Sequence, residues 1–159
     1  MGATNTPWEL DDAFRRRFQK RIYIHLPDQQ SRANMFKLKI KGIDNTITEE
    51  EFLKLGEVSD LYSGSDIKIV SNEALFLPIR KCQNAQKFYQ LEDGKWTPCS
   101  PSDPRGKEMN MYDIPNGMLK EPPVTYDDYM KALIRIKPSV ALEDLKRYED
   151  FTSKYGQDG

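Results

Sequence analysis

The fold turns on one stretch: Ser63-Gly64-Ser65-Asp66-Ile67-Lys68-Ile69-Val70-Ser71-Asn72-Glu73-Ala74-Leu75-Phe76-Leu77-Pro78. Ile67, Val70, Ala74 and Leu77 recur at spacings of three and four, the signature of a helix with one apolar face. Ser63 stands where a hydroxyl can accept an orphan backbone N–H at the helix start. Pro78 falls inside the same pattern. It has no N–H and its ring crowds the preceding turn, which predicts a kink or break there.

Outward from this helix the chain reads as further capped helices. Asp28 can cap one running to about Ile40, with Ala33, Phe36 and Ile40 on its stripe and Gly42 to end it. Thr48-Glu49-Glu50-Glu51 is a capping box, opening a helix that turns Phe52 and Leu55 inward and stops near Gly56. Downstream, Phe88-Tyr89-Gln90-Leu91, Glu92-Asp93-Gly94 and Lys95-Trp96-Thr97 read as a β-hairpin with Asp-Gly at its turn. Pro98 to Pro123 holds six of the ten prolines, an irregular length that suggests a functional or wrapping segment. Thr125 caps a helix bearing Tyr126, Tyr129, Met130, Leu133 and Ile136, and Pro138 stops it. Ser139 is expected to cap the last helix, with Leu142, Leu145, Tyr148, Phe151 and Tyr155 at helical spacing. Residues 1–27 are irregular apart from a strand candidate, Arg21-Ile22-Tyr23-Ile24, closed by Pro27.

Composition removes several classes. The 159 residues carry 24 Lys+Arg and 25 Asp+Glu, a net charge of −1, which argues against a globally basic nucleic-acid binder. At 38% hydrophobic and 11% aromatic, the chain should fold around a modest core. No run approaches the roughly 18 apolar residues of a membrane span, and no signal-peptide pattern opens the chain. Cys82 and Cys99 do not make a disulfide framework and read as free thiols of a reducing compartment. A single histidine, His25, excludes the usual zinc sites, so no metal ligand is assigned. No Walker A pattern occurs: Gly56 and Gly64 have neither its spacing nor its Lys-Ser/Thr ending. Against this even background, Arg15, Arg16, Arg17, Lys20 and Arg21 place five positive charges within seven residues. A solvated face, an anionic or nucleic-acid surface, and guanidinium delivered to a phosphate all fit such a run. Charge alone leaves the three open.

The flanking motifs carry a resemblance. Gly2-Ala3-Thr4-Asn5, Pro7-Trp8, Ala13-Phe14-Arg15-Arg16-Arg17-Phe18 and Lys20-Arg21-Ile22-Tyr23-Ile24 resemble the second half of an AAA ATPase large domain, from sensor 1 through the arginine-finger region. Tyr62-Ser63-Gly64-Ser65-Asp66-Ile67 resembles the start of the lid helix that touches adenine. With Thr97-Pro98-Cys99-Ser100-Pro101, Lys137-Pro138-Ser139-Val140, Phe151-Thr152 and the terminal Gly156-Gln157-Asp158-Gly159, the chain is similar throughout to meiotic-clade AAA ATPases of vacuolar protein sorting, the ESCRT-disassembling type.

That resemblance implies a mainly α (α+β) fold: a helical-bundle lid with a small β-hairpin insertion, preceded by the tail of an α/β P-loop large domain and followed by a C-terminal helix. The implied divisions are 1–27, then 28–86 with 105–137 for the lid, 87–104 for the insertion and 138–159 for the helix. It implies ATP hydrolysis in a ring oligomer, coupled to disassembly of ESCRT polymers. Asn5 would orient the attacking water, an amide being both donor and acceptor. Arg16 and Arg17 would reach into the neighbouring subunit's nucleotide, with Arg15 serving packing or orientation. Gly64 and Ser65 would let backbone approach adenine. ATP is the implied cofactor, with Mg held through Walker residues that precede sensor 1 and are absent here, so the chain alone should be inactive. Implied partners are neighbouring subunits, ESCRT polymer subunits and a regulatory cofactor protein at the β insertion, in the cytoplasm and reaching endosomal membranes through partners, with no nucleic acid. His25 stands where the family has proline and is given no role; Leu61 replaces a glycine, implying a stiffer turn. Trp96 reads equally as a partner contact or as hairpin packing. The alternatives are a stand-alone module that binds ESCRT regulators, a microtubule-severing relative, and nucleic-acid binding through the arginine run.

Overall fold

A computed structural model describes residues 1–18 and 20–156; Gln157, Asp158 and Gly159 of the terminal signature lie outside the described residues. Four helices make the main body. They are α2 (Gln29–Lys39), α3 (Glu49–Val58), α4 (Gly64–Asn84) and α5 (Tyr126–Arg135). Each begins where the sequence places a cap. Asp28 accepts from Ser31 N–H, and Thr48, Ser63 and Thr125 each form a reciprocal capping box with the acidic residue three positions on. The predicted stripes then meet: Phe36, Leu55, Ile67, Val70 and Tyr129 are fully buried in one cluster, with Phe36 and Tyr129 edge to face at 5.5 Å.

Helix α4 does not break at Pro78. It continues to Asn84 with Pro78 fully buried. The ring costs one backbone bond, but it fills a core position, and burial of Leu77 and Cys82 on either side holds the helix in register. Helix α3 likewise passes Gly56 and ends at Val58. A Cβ at Gly56 would sit 2.4 Å from the Gln29 carbonyl oxygen, so this glycine sets the close approach of α2 and α3 rather than a helix end. Leu61, in the turn before α4, takes φ +67°, the left-handed region. The strain is on the order of 1 kcal/mol for a residue with a Cβ.

The insertion is larger than a hairpin. β1 (Lys87–Gln90) pairs antiparallel with β2 (Trp96–Pro98) across a turn in which Gly94 has φ +83°, and with a third strand, β3 (Lys107–Glu108), giving the order β2-β1-β3. The boundary expected at 104 therefore falls inside this unit. Its own small core, Cys82, Phe88 and Ile114, gathers Trp96, Met109, Met111, Met118 and Leu119, so the proline-rich segment wraps the sheet. The chain re-enters the lid where Thr46 N–H donates to the Val124 carbonyl and Val124 N–H to that of Asp44, both at 3.0 Å.

Two elements lie outside the lid core, α1 (Asp12–Arg17) and α6 (Leu142–Tyr155), and neither has a buried residue. Arg21–Ile24 forms no strand among the described residues. A strand exists only through a partner ladder, and among the described residues none pairs with this segment. Ser139 does not cap α6; the helix starts three residues later, at Leu142, and its N-cap Ala141 has no side chain able to cap it. The Ser139 side chain is engaged elsewhere, as described next.

Candidate functional site

The residues singled out in the sequence fall in two places. Gly64 and Ser65 are the first two residues of α4, both exposed. Ser63 Oγ accepts from Asp66 N–H, and Ile67 N–H bonds the Ser63 carbonyl. Among the described residues the N–H groups of Gly64 and Ser65 have no acceptor, as expected for a first helical turn. Gly64 does not use left-handed backbone, and an added Cβ would meet only Met35 Cε, at 3.7 Å. The fold itself therefore does not require glycine here. What its absence of a side chain provides is bare backbone at a positive helix end.

Directly beneath lies a bond hub the sequence did not disclose. The Asp66 carboxylate, 3% exposed, accepts from Ser63 N–H (2.9 Å) and Oγ–H (2.8 Å), and from Ser139 N–H (3.3 Å) and Oγ–H (3.0 Å). Burial pushes its carboxyl up, but the bonds from Ser63 and Ser139 outweigh this and hold it below the ordinary range. Ser139 thus ties the approach to α6 to the start of α4. Tyr62 adds a second tie, its hydroxyl donating to the Ile136 carbonyl at 2.6 Å. A similar buried carboxylate opens α5. Asp128, fully buried, accepts from Thr125 and from Lys81, whose Nζ lies 2.7 Å from Oδ1. Again burial pushes the carboxyl up, and Lys81 and Thr125 pull it down further.

The other place is the arm, residues 1–27, which rests on α6. Tyr148 packs against Trp8 at 5.0 Å between ring centres and stacks on Tyr23 at 5.7 Å, and its hydroxyl donates to the Asn5 carbonyl. Arg147 lies over the Trp8 ring at 3.8 Å. The basic run divides. Arg15 pairs with Asp12 and lies 4.8 Å over Tyr155, and Arg21 donates to the Tyr155 carbonyl at 2.7 Å. Arg16 and Arg17 are exposed and make no ion pair among the described residues. The Asn5 side chain is also exposed and makes no hydrogen bond among the described residues. Asn5, Arg15 and Arg21 are thus brought onto one support, α6, with Arg16 and Arg17 following Arg15 on α1, whereas among the described residues no direct bond joins any of them to Gly64 or Ser65. The connection between the two places runs through Ser139 and α6. Arg32 also pins the arm's end: its side chain, 7% exposed, donates to the Pro27 and Gly56 carbonyls at 2.7 and 3.0 Å and pairs with Asp60. Only a buried arginine in an otherwise amphipathic helix could have hinted at that role.

No group of His, Cys, Asp and Glu that could hold a metal occurs among the described residues, and no described helix is long and apolar enough to cross a membrane. On the insertion, a groove of about 700 Å³ is lined by Tyr89, Trp96, Arg105, Lys107, Lys120 and an acidic rim of Glu92 and Asp93. Arg105 lies 4.3 Å over Tyr89 and Lys107 5.4 Å over Trp96. Trp96 packs against Phe88's cluster and also lines the groove.

A capped four-helix lid with a β insertion, an arginine-bearing arm before it and a helix after it defines the lid-side half of an AAA domain. The FIGL-1 AAA domain solved with ADP superposes with TM-score 0.72 at 31% identity, covering 98% of this chain and 44% of that one. A chain from the crystal structure of Vps4 and Vta1 covers 70% of this chain and 99% of its own length at 35% identity and TM-score 0.58. The family description "Vps4 C terminal oligomerisation domain" matches residues 96–156. Vacuolar protein sorting-associated protein 4B of Pongo abelii is 45% identical over the whole of this chain, and vacuolar protein sorting-associated protein 4 of Dictyostelium discoideum 46%. The chain belongs to the vacuolar-protein-sorting family of AAA ATPases. It spans 38% of the length of these curated relatives.

Proposed function

We propose that this chain forms the C-terminal part of a ring-forming AAA ATPase that couples ATP hydrolysis to disassembly of ESCRT polymers in endosomal and vacuolar sorting. The observation that carries the reading is the division of the basic run. Arg15 and Arg21 are tied to the chain itself, while the neighbouring Arg16 and Arg17 stand exposed on a short helix supported by α6. Guanidinium presented in this way suits a phosphate supplied by another subunit. Stabilising charge on a transferring phosphoryl group in trans is worth about 10³–10⁵ in rate in GTPases. Asn5 fits water orientation, with its backbone fixed by Tyr148 and its amide free. Gly64 and Ser65 fit an adenine-facing backbone at the lid, with ATP as the nucleotide and Mg²⁺ held by residues outside this chain. In an assembled full-length ring, Arg16→Ala and Arg17→Ala should abolish steady-state ATP hydrolysis and leave nucleotide binding intact. Loss of nucleotide binding itself would overturn the finger assignment.

One observation favours a second role within the same protein. The aromatic and basic groove on the insertion suits a regulatory protein partner, in keeping with a solved structure of a relative that is titled with both Vps4 and Vta1. Capture of such a partner by the isolated chain should be lost on Trp96→Ala or Tyr89→Ala. Undiminished capture by both variants would remove the groove from this role.

A further inference from the structure

The segment Thr97-Pro98-Cys99-Ser100-Pro101 offers two hydroxyls, each followed by proline, and the fold treats them oppositely. Thr97 lies in β2, opposite Tyr89 in the antiparallel ladder, and is only 9% exposed. The ladder ends just beyond, where Cys99 N–H donates to the Lys87 carbonyl at 3.0 Å. Ser100 is exposed and opens a turn closed by Asp103 N–H on its carbonyl at 3.0 Å, with Pro101 at the second position. Among the described residues its hydroxyl meets only Ser102: Oγ at 2.9 Å and the N–H at 3.4 Å. These bonds are local and solvated, so the turn opens without exposing core.

We propose that Ser100 is a phosphoacceptor for a proline-directed serine/threonine kinase, and that the Lys87 ammonium pairs with the phosphoserine so formed. Ser100 Oγ attacks the γ-phosphorus of ATP; the new P–O bond replaces the bond to ADP, and the hydroxyl proton passes to the kinase's base. Pro101 gives the specificity, because a proline presents no N–H to a closed apolar pocket, whereas any other residue would bury an unpaired donor there. Lys87 is the cation placed to respond. Its Nζ donates to the Pro101 carbonyl at 2.8 Å, one residue from the acceptor, whereas Arg105 is held by Asp103, whose carboxyl it pulls down to about 2. A phosphoserine carries about −1.5 to −2 charge near neutrality. With Lys87 it would clamp the turn to the first residue of β1.

The test is to treat the 159-residue chain with a purified proline-directed kinase and MgATP and to locate phosphate by mass spectrometry. The native chain should take one phosphate, on Ser100. Incorporation should vanish in Ser100→Ala, whose circular dichroism should match the unmodified chain, and fall at least tenfold in Pro101→Ala. Heat-denatured chain should gain a second phosphate on Thr97, because only the strand protects it. No phosphate on the native chain, or phosphate on Thr97 or Ser102 instead, overturns the proposal. The phosphorylated chain should also melt about 2–4 °C higher, roughly the shift of one new charge-assisted bond. Lys87→Ala should remove that rise; a rise that survives it overturns the role given to Lys87.

Discussion

The lid and the arm–α6 unit are held together in different ways. In the lid, four capped helices converge on residues with no exposure at all, such as Phe36, Leu55 and Tyr129. In the arm and α6 no helix has a buried residue, and cohesion comes from tilted or stacked rings on Tyr148 and from guanidinium groups over Trp8 and Tyr155. Apolar burial scales with area and is cooperative, whereas exposed ring and cation contacts are worth about 0.5–1.5 kcal/mol each. The lid is therefore a folding unit by its own core. The arm and α6 add a layer whose helices contribute no buried residue to that core. Under the reading proposed above, it is this shallowly packed layer, rather than the lid core, that would carry the contact to a neighbour.

This contrast can be broken in order of effect. Phe36→Ala should cost about 3–5 kcal/mol, enough to lower the urea midpoint of the whole lid steeply. A loss under 1 kcal/mol would mean that the helices are not held by this core. Asp128→Ala should cost about 2–3 kcal/mol, toward the low end for a broken buried pair because the Lys81 side chain, 39% exposed, can return to water. The same carboxylate sets a pH dependence. Asp66 and Asp128 both have folded-state values below their unfolded ones, so the unfolded chain binds protons first as pH falls. Their stabilisation is complete above about pH 4–5 and is lost as the pH drops through the folded values. Thermal midpoints recorded from pH 7 to 3 should fall over that window, and Asp128→Asn should flatten part of the slope. Tyr148→Ala should have the smallest global effect, a shift of about 1 °C or less in the lid midpoint. It should still raise hydrogen exchange in α6. A large fall in the lid's own midpoint would show that the arm and lid are one cooperative unit.

Much of the lid was legible because its signals are local. Asp28, Thr48, Ser63 and Thr125 each act within three residues, and the stripes through Phe36, Ile67 and Tyr129 follow from helical period alone. The misreadings came where a residue's role depends on something distant. Gly56 reads as a stop until α2 lies against it, and Pro78 reads as a break until the core closes on it. Ser139 reads as a cap until Asp66, far away in sequence, takes both its donors. The Arg21–Ile24 segment has the alternation of a strand but no partner strand among the described residues, and β3 is too short and charged to announce itself. At the candidate site, the sequence marked Asn5, Arg16, Arg17, Gly64 and Ser65 through the family resemblance, whereas charge alone did not distinguish Arg16 and Arg17 from Arg15 and Arg21 within one basic run.

By itself, then, the sequence determined the four lid helices, their caps, the core stripes and the family, because backbone capping, periodicity and motif identity are properties of adjacent residues; it did not determine α1 or the start of α6. Only the tertiary structure decided which arginines are paired among the described residues, that the insertion is a three-stranded unit with its own core, and that α6 bridges the arm to the start of α4. The α6 bridge rests on hydrogen bonds between residues 73 and 143 positions apart, and the insertion's third strand pairs Lys87 with Glu108 and Phe88 with Lys107 across an irregular segment, so no local pattern encodes them.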